Sequence, residues 1–200
     1  SQEALRYYLE GMDNYNKYYY AEAEKSFKKA LEYDSTFAMA YHRLALIKNS
    51  NGDNKAAKEL IAKAMKYSDK VTDKEKLKIK TLQAYLSGDY AQSIKELQKT
   101  VERYPDEKEA FLRLGVMHAN LLKYQEAVNY LNKAIQIDPL YKLAYNNLAY
   151  TYNEMGDFEK SIWAINRYIE IAPDEANPYD TRADLYAWNG KLDQAIESYK

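Results

Sequence analysis

Two histidines are the side chains in this sequence best suited to bind a metal ion or to move a proton. His42 and His118 are 118 − 42 = 76 residues apart, and the sequence contains no cysteine. Neither histidine belongs to a His-x-x-x-His or His-x-Glu arrangement, which would direct two ligands to one ion. Gly52, Gly88 and Gly190 are isolated turn glycines and form no phosphate-binding loop. We therefore expect no catalytic residue, no metal site, no cofactor and no enzyme activity in this sequence.

Charge and hydropathy narrow the class of partner. The 29 basic and 30 acidic side chains nearly balance, whereas nucleic-acid binders usually carry a strongly basic domain. No apolar run approaches the roughly 18–20 residues that cross a bilayer, and residues 1–10 lack the apolar stretch of a signal peptide. We expect a soluble protein that binds no nucleic acid and does not insert into a membrane. The absence of cysteine leaves the compartment open, and we favour a cytoplasmic location over export.

A spacing of 34 residues organises the elements that would position any site. The turn residues recur at intervals of 88 − 52 = 36 and then 122 − 88, 156 − 122 and 190 − 156, each 34, at Gly52, Gly88, Leu122, Gly156 and Gly190. Prolines 105, 139 and 173 are also 34 apart. A unit of this length is too short to bury its own apolar faces, so it must stack on its neighbours. The spacing predicts a solenoid of similar units.

Residues 142–175 show how one unit folds. Apolar residues recur at three- and four-residue steps on both sides of a break at Met155-Gly156-Asp157, and Pro173 ends the second run. This pattern predicts helix, turn, helix. Gly156 suits the left-handed conformation that ends a helix, and Asp157 has a side-chain oxygen suited to capping the next one.

These units resemble the tetratricopeptide repeat, whose pattern is W-x2-L-G-x2-Y, then A-x3-F, then P. The two strongest matches read Phe111, Leu114, Gly115, His118, Ala127, Leu131, Pro139 and Tyr145, Leu148, Ala149, Tyr152, Ser161, Ile165, Pro173. The sixth unit matches at Tyr179, Ala183, Tyr186, Ala195 and Tyr199. The resemblance implies an all-α fold, a right-handed superhelical solenoid of antiparallel helix pairs. It also places His118 where the family has a packed tyrosine, so we expect a buried core histidine.

The resemblance covers essentially the whole sequence. We expect one solenoid over residues 1–200, with units 4–37, 38–71, 74–107, 108–141, 142–175 and an incomplete 176–200. Thr72 and Asp73 separate two units, and Thr72-x-x-Glu75 predicts a capping box at the start of the next helix. Because the last unit ends partway through its second helix, its outer face is uncovered, and we expect the sequence to be a fragment of a longer protein.

In this family the first helices of successive units line a concave groove. The resemblance implies that the second, fifth, sixth, ninth and twelfth residues of each unit face it. The partner-binding candidates at these positions are Tyr8, Met12, His42, Arg43, Leu46, Lys78, Leu82, Tyr85, Leu112, Arg113, Asn146, Asn147 and Tyr150.

The composition of the predicted groove indicates a protein or peptide partner. In the first four units we expect exposed tyrosine, methionine and leucine around Arg43, Lys78 and Arg113, a mixture suited to a peptide that carries a carboxylate. Asn146 and Asn147 offer donors and acceptors to a peptide main chain. The clamp with which some relatives hold the C-terminal carboxylate of chaperones is not present in this sequence.

Three functions remain open on the sequence alone. The first is a non-catalytic interaction scaffold that binds a peptide or protein segment in the groove. The second is self-association into a homo-oligomer through the uncovered C-terminal face or the tyrosine-rich first unit. The third is a regulatory array of a larger signalling protein whose catalytic domain lies outside these residues. Residues 4–11, 72–77 and 104–106 resemble arrays that are appended to bacterial signalling proteins.

Overall fold

The computed structural model describes residues 1–17 and 19–198. Tyr18 and the last two residues of the predicted sixth unit, Tyr199 and Lys200, lie outside the described residues. The described residues contain no strand and form twelve α-helices and one short 3₁₀ helix, Ser68–Lys70. In chain order the helices are α1 Gln2–Asn16, α2 Tyr20–Tyr33, α3 Ala38–Ser50, α4 Asn54–Lys66, α5 Asp73–Ser87, α6 Tyr90–Arg103, α7 Lys108–Asn120, α8 Tyr124–Ile137, α9 Lys142–Glu154, α10 Phe158–Ile171, α11 Ala176–Trp188 and α12 Leu192–Ser198.

The chain divides into two compact units, Ser1–Lys99 and a second from Thr100 onward, so that α6 spans the division. In the first unit α1 packs on α2 and α3 on α4, while α2 also contacts α3 and α4 contacts α5. In the second unit the packed pairs are α7 with α8, α9 with α10 and α11 with α12, joined by contacts of α8 with α9 and α10 with α11. The predicted all-helical fold is confirmed. The single solenoid and its repeat boundaries stay predictions.

The turns inside the helix pairs share one geometry. Gly156 has φ +76°, its N–H donates to the Asn153 carbonyl at 2.9 Å, and Asp157 N–H donates to the Tyr152 carbonyl at 2.9 Å. These bonds satisfy carbonyls at the end of α9. The Asp157 side chain then accepts from the Lys160 N–H at 3.1 Å and caps α10, as the sequence predicts. The other turn glycines have φ between +72° and +85°.

Leu122 occupies the same turn position with φ +59°. Its N–H donates to the Ala119 carbonyl and that of Lys123 to the His118 carbonyl, both at 2.9 Å, as in the glycine turns. A left-handed backbone crowds the Cβ atom of any residue except glycine. The turn between α7 and α8 is therefore strained where its equivalents are not.

The predicted capping box is present at the start of α5. The Thr72 hydroxyl oxygen accepts from the Glu75 N–H at 3.3 Å, and the Glu75 carboxylate accepts from the Thr72 N–H at 3.0 Å. The two bonds satisfy two amides that have no partner within the helix. Helix α5 thus begins at a fixed residue after the loop that separates it from α4.

Small residues let the paired helices approach closely. Gly115 on α7 lies so near α8 that an added Cβ would come within 2.6 Å of the Leu131 Cγ. In the next pair the buried Ser161 hydroxyl donates to the Ala149 carbonyl at 2.8 Å, which satisfies a polar group at the helix crossing. The core of the second unit forms around the fully buried side chains of Leu131, Leu148, Ile165, Tyr168 and Leu185.

Tyrosine hydroxyls tie three helices to the loops that precede them. Tyr41, Tyr145 and Tyr179 donate to the carbonyls of Ser35, Pro139 and Pro173 at 3.2, 3.2 and 3.0 Å respectively. All three lie in the first turn of their helices, α3, α9 and α11. Each bond therefore fixes where the chain enters a new helix pair.

Candidate functional site

All thirteen predicted partner-binding residues lie on odd-numbered helices. Tyr8 and Met12 are on α1; His42, Arg43 and Leu46 are on α3; Lys78, Leu82 and Tyr85 are on α5; Leu112 and Arg113 are on α7; Asn146, Asn147 and Tyr150 are on α9. The structure thus puts them on the first helices of the pairs. Several of them are buried rather than exposed.

In the first unit the predicted leucines belong to the core. Leu82 is 2 % exposed and packs in one cluster with Leu46, Met39 and Ile79. Tyr8 and Tyr85 pack against this cluster and are partly buried. The expectation that leucines at these positions are exposed differs from the structure, because α3 and α5 contact each other directly and enclose them.

Two of the predicted partner-binding residues on α3, His42 and Arg43, are also buried. Arg43 is 8 % exposed, and its guanidinium carbon lies 5.4 Å from the centre of the Tyr15 ring. A cation over an aromatic face is stabilised by the negative electrostatic potential of the ring. His42 is buried as well. The structure corrects the expectation that Arg43 is an exposed charge, whereas Lys78 and Arg113 are half-buried.

The second unit contains a cleft of about 410 Å³, which we call the α7–α9 cleft. Its lining comes from α7 (Val116, Ala119, Asn120), from the turn and the start of α8 (Leu122, Tyr124) and from α9 (Asn147, Tyr150, Thr151, Glu154). Its volume lies in the range of roughly 300–1,000 Å³ that is usual for ligand sites. Of the thirteen predicted residues, Asn147 and Tyr150 line it.

Most of the polar groups on the α9 wall are bonded within the protein. The Asn147 amide donates to the Leu143 carbonyl at 2.8 Å, and the Thr151 hydroxyl donates to the Asn147 carbonyl at 2.7 Å. The Tyr150 hydroxyl is 3.3 Å from that of Thr181. The α9 wall therefore offers a ligand the Tyr150 ring, the Thr151 methyl group and the remaining amide atoms of Asn147. One amide hydrogen of Asn147 bonds its own helix, and its predicted bond to a peptide main chain stays a prediction.

Asn146 is half-buried on α9 and directly precedes Asn147 in the sequence. Its Oδ1 atom is buried and has no hydrogen-bond partner among the described residues. A buried acceptor without a donor usually costs about 1–3 kcal/mol. Its predicted bond to a peptide main chain stays a prediction.

One carboxylate lies at the rim of the cleft. Glu154, the last residue of α9, is exposed and accepts a long 3.5 Å hydrogen bond from the Tyr124 hydroxyl. It is the one ionised side chain in the lining, since the other lining residues are apolar, amide or hydroxyl side chains. The cleft therefore combines apolar, amide and hydroxyl side chains with negative charge at one end.

The cleft includes five residues that lie outside the groove positions predicted from the sequence: Asn120, Leu122, Tyr124, Thr151 and Glu154. A sequence signal existed for Leu122, because it replaces a glycine in the series of equivalent turns.

Ion pairs hold the helices that form the cleft. Lys108, the first residue of α7, pairs with Asp138 at 2.5 Å, and Lys142, the first residue of α9, pairs with Glu175. The Lys108 ammonium lowers the pKa of Asp138, with a smaller contribution from the Leu140 N–H. Burial raises the pKa of Glu175, but bonds from Lys142 and the Tyr168 hydroxyl outweigh it and lower the pKa.

A second cleft, of about 290 Å³, lies in the first unit, where α1, α3 and α5 begin. Its lining includes Leu5, Asp34, Met39, Lys70 and Glu75. Three of these lie at the second position of their predicted units, but none is among the thirteen candidates.

The described residues show no cluster that would suit a metal ion. His118 is buried, and its Nδ1 atom is 2.8 Å from the Leu114 carbonyl, which agrees with the predicted core histidine. No helix within residues 1–17 and 19–198 has the length and apolar character to cross a membrane.

Comparison with known protein families gives one consistent result. Residues 38–70, 84–142 and 123–185 each match a family model described as tetratricopeptide repeat. No curated protein matches the sequence significantly.

Solved structures of similar fold cover most of the chain. The crystal structure of MamA is 26 % identical, with a TM-score of 0.57, and the match covers 78 % of this chain and 90 % of MamA. PilW, a type IV pilus biogenesis factor, is 19 % identical with a TM-score of 0.69, over 99 % of this chain and 91 % of PilW. A thermophilic repeat protein of Thermus thermophilus is 20 % identical with a TM-score of 0.69, over 81 % of this chain and 88 % of that one.

Proposed function

Because the chain belongs to the tetratricopeptide repeat family, we propose that it is a non-catalytic scaffold that binds a segment of a partner protein. The family is associated with protein–protein interaction, and the fold is similar to those of MamA and PilW. The proposed binding surface in the second unit is the face that α7 and α9 form together. Its chemistry suits a peptide, which offers apolar side chains and a polar main chain at once.

The α7–α9 cleft is the observation that carries this proposal. Predicted groove residues of two adjacent helices, Val116 and Ala119 on α7 and Asn147 and Tyr150 on α9, line one cavity of about 410 Å³. Adjacent first helices thus meet at an open site, whereas in the first unit the equivalent leucines on α3 and α5 are packed together.

Site-specific photocrosslinking tests the proposal. A photoreactive amino acid replaces Asn120, which is exposed and lines the cleft, or Lys133, which is exposed on α8 and does not line it. After irradiation in cells, mass spectrometry identifies what each variant captures. We expect a protein captured from position 120 and not from position 133. Equal capture at both positions, or none at either, would contradict the proposal.

We further propose that positive charge on the odd-numbered helices attracts acidic groups of the partner. Lys78 and Arg113 carry this part of the proposal, since Arg43 packs on Tyr15. Lys78→Glu and Arg113→Glu each reverse one charge. If the wild type and both variants crosslink the partner with equal yield, Lys78 and Arg113 do not attract it.

Self-association is a second candidate function, favoured by the exposed face of α12. Leu192 and Ile196 are exposed at a spacing of four residues, so they share one side of the helix. The residues 34 positions earlier are Phe158 and Ile162 of α10, and the Phe158 ring lies 5.9 Å from that of Tyr186 on α11. A second copy of the chain would supply a helix that packs on Leu192 of α12 as α11 packs on Phe158 of α10. Sedimentation equilibrium at several concentrations decides, because a chain that stays monomeric excludes this function.

A further inference from the structure

We propose that the α7–α9 cleft receives an apolar side chain of a partner segment that carries a lysine or arginine beside it, with Leu122 as the apolar contact and Glu154 as the charged one. This inference rests on the proposed function and specifies its partner. It starts from Leu122, whose strained backbone and exposed side chain are not required by the fold.

Leu122 has the backbone of a glycine turn without being a glycine. Its φ is +59°, in the left-handed region that a leucine adopts only at a cost, while the four equivalent turns use glycine at φ between +72° and +85°. The two backbone hydrogen bonds of the turn have the same lengths as in the Gly156 turn. A glycine would therefore form this turn equally well.

The side chain of Leu122 contributes little to the stability of the folded chain. It is 72 % exposed, the largest exposed fraction among the large apolar side chains of the described residues. Its neighbour Leu121 is also exposed. Strained residues that the fold does not require tend to occur at functional sites, where another molecule makes the contact. The exposed Leu122 side chain lies on the α7–α9 cleft, which identifies the place of that contact.

The remaining walls define the chemistry of the occupant. Val116 and Ala119 continue the apolar surface from Leu122, and on the opposite wall the Asn147 amide and the Thr151 hydroxyl each donate to a carbonyl of their own helix. A polar or charged group placed against Leu122, Val116 and Ala119 would lose bonds to water without replacement from these side chains. An apolar side chain has no such loss.

Glu154 sets the charge of the neighbouring residue. No cationic side chain contributes to the lining, and the one hydrogen bond between the Tyr124 hydroxyl and Glu154 is long, at 3.5 Å. A lysine or arginine of the partner would pair with this carboxylate, while an aspartate or glutamate would be repelled. The segment that fits best therefore has an apolar residue adjacent to a basic one.

An array of short synthetic peptides tests this directly with the intact chain. The array contains peptides in which leucine or phenylalanine is followed by lysine or arginine, the same peptides with glutamate in place of the basic residue, and peptides with serine in place of the apolar one. We expect the wild type to bind the apolar–basic peptides about tenfold more tightly than either of the others. Equal binding to all three classes would overturn the inference.

Two variants and a matched control assign the contacts. Leu122→Gly should weaken binding of the apolar–basic peptides about tenfold while the chain stays at least as stable, so misfolding would not explain the loss. Glu154→Gln should remove the preference for basic over acidic peptides. Leu140→Ala is the control, because Leu140 is 68 % exposed in the loop before α9 and does not line the cleft. Unchanged binding by Leu122→Gly, or an equal loss in Leu140→Ala, would refute the assignment.

The outcomes separate this inference from the proposed function. If photocrosslinking from position 120 captures a partner but Leu122→Gly and Glu154→Gln bind that partner as the wild type does, only the inference fails. If position 120 captures no protein and no peptide binds, both fail.

Discussion

The strained turn at Leu122 makes a stability prediction whose sign is opposite to the usual one. At most positions replacing alanine by glycine destabilises a protein, because glycine gains more freedom in the unfolded chain. At Leu122, with φ +59°, alanine keeps the left-handed strain and glycine removes it. We therefore expect the Leu122→Gly variant to be more stable than the Leu122→Ala variant.

The magnitude follows from three contributions. Left-handed strain costs a residue other than glycine roughly 1–2 kcal/mol, and the extra freedom of glycine in the unfolded chain offsets about 0.4–1 kcal/mol of its removal. Leu122→Gly should therefore exceed Leu122→Ala by about 1 kcal/mol. The side chain is 100 − 72 = 28 % buried, so either truncation also loses about 0.5 kcal/mol of burial. We expect Leu122→Ala to be less stable than wild type and Leu122→Gly to be close to it or slightly above.

Urea unfolding followed by circular dichroism measures these differences as shifts in the midpoint at unchanged slope. Ala62→Gly is the matched control, because Ala62 is exposed in the interior of α4 and has an ordinary helical backbone. We expect that control to lose about 1 kcal/mol. If Leu122→Gly is less stable than Leu122→Ala by the same amount as in the control, the turn carries no strain and the reasoning is wrong.

Three further predictions concern packing, capping and pH. Gly115→Ala should destabilise the chain by about 2 kcal/mol, since the new Cβ would lie 2.6 Å from the Cγ of the fully buried Leu131; an unchanged thermal midpoint would contradict this. Thr72→Ala should cost about 1 kcal/mol in urea unfolding by removing the cap of α5, while Thr72→Ser should cost less. Lys108 lowers the pKa of Asp138, so their pair stabilises the chain above the unfolded pKa near 3.9 and is lost as pH falls through the lower folded pKa. Asp138→Asn should therefore cost up to about 1 kcal/mol at pH 7 and progressively less as the pH falls through the folded pKa, and an equal cost at every pH would refute the pairing.

Several helix boundaries can be predicted from the sequence because local chemistry determines where those helices begin and end. Gly156 ends α9 and Asp157 caps α10 through contacts within a few residues, and Thr72 caps α5 with Glu75 in the same way. Such contacts depend on residue type and spacing, which the sequence contains in full. The repetition of the pattern every 34 residues then made the all-helical fold evident.

The candidate site was less predictable because burial depends on how closely neighbouring helices approach. Leu46 and Leu82 occupy positions that the resemblance assigns to an open groove, yet α3 and α5 enclose them in one core cluster. Arg43 is covered in the same way and packs on Tyr15, a residue 28 positions away (43 − 15 = 28). The position of a residue within its unit determines which side of the helix it occupies. It does not determine how far away the next helix lies.

Tyr41, Tyr145 and Tyr179, whose hydroxyls bond the loops before α3, α9 and α11, give the chain a set of internal reporters. Repeat arrays open in parts, since each unit is stabilised mainly by its neighbours. When one helix pair detaches, its tyrosine loses the loop carbonyl and its ring signal in an NMR spectrum changes, while the other two signals stay as they were. The order in which the three signals shift during denaturation would show whether the chain unravels from one end or opens in its middle.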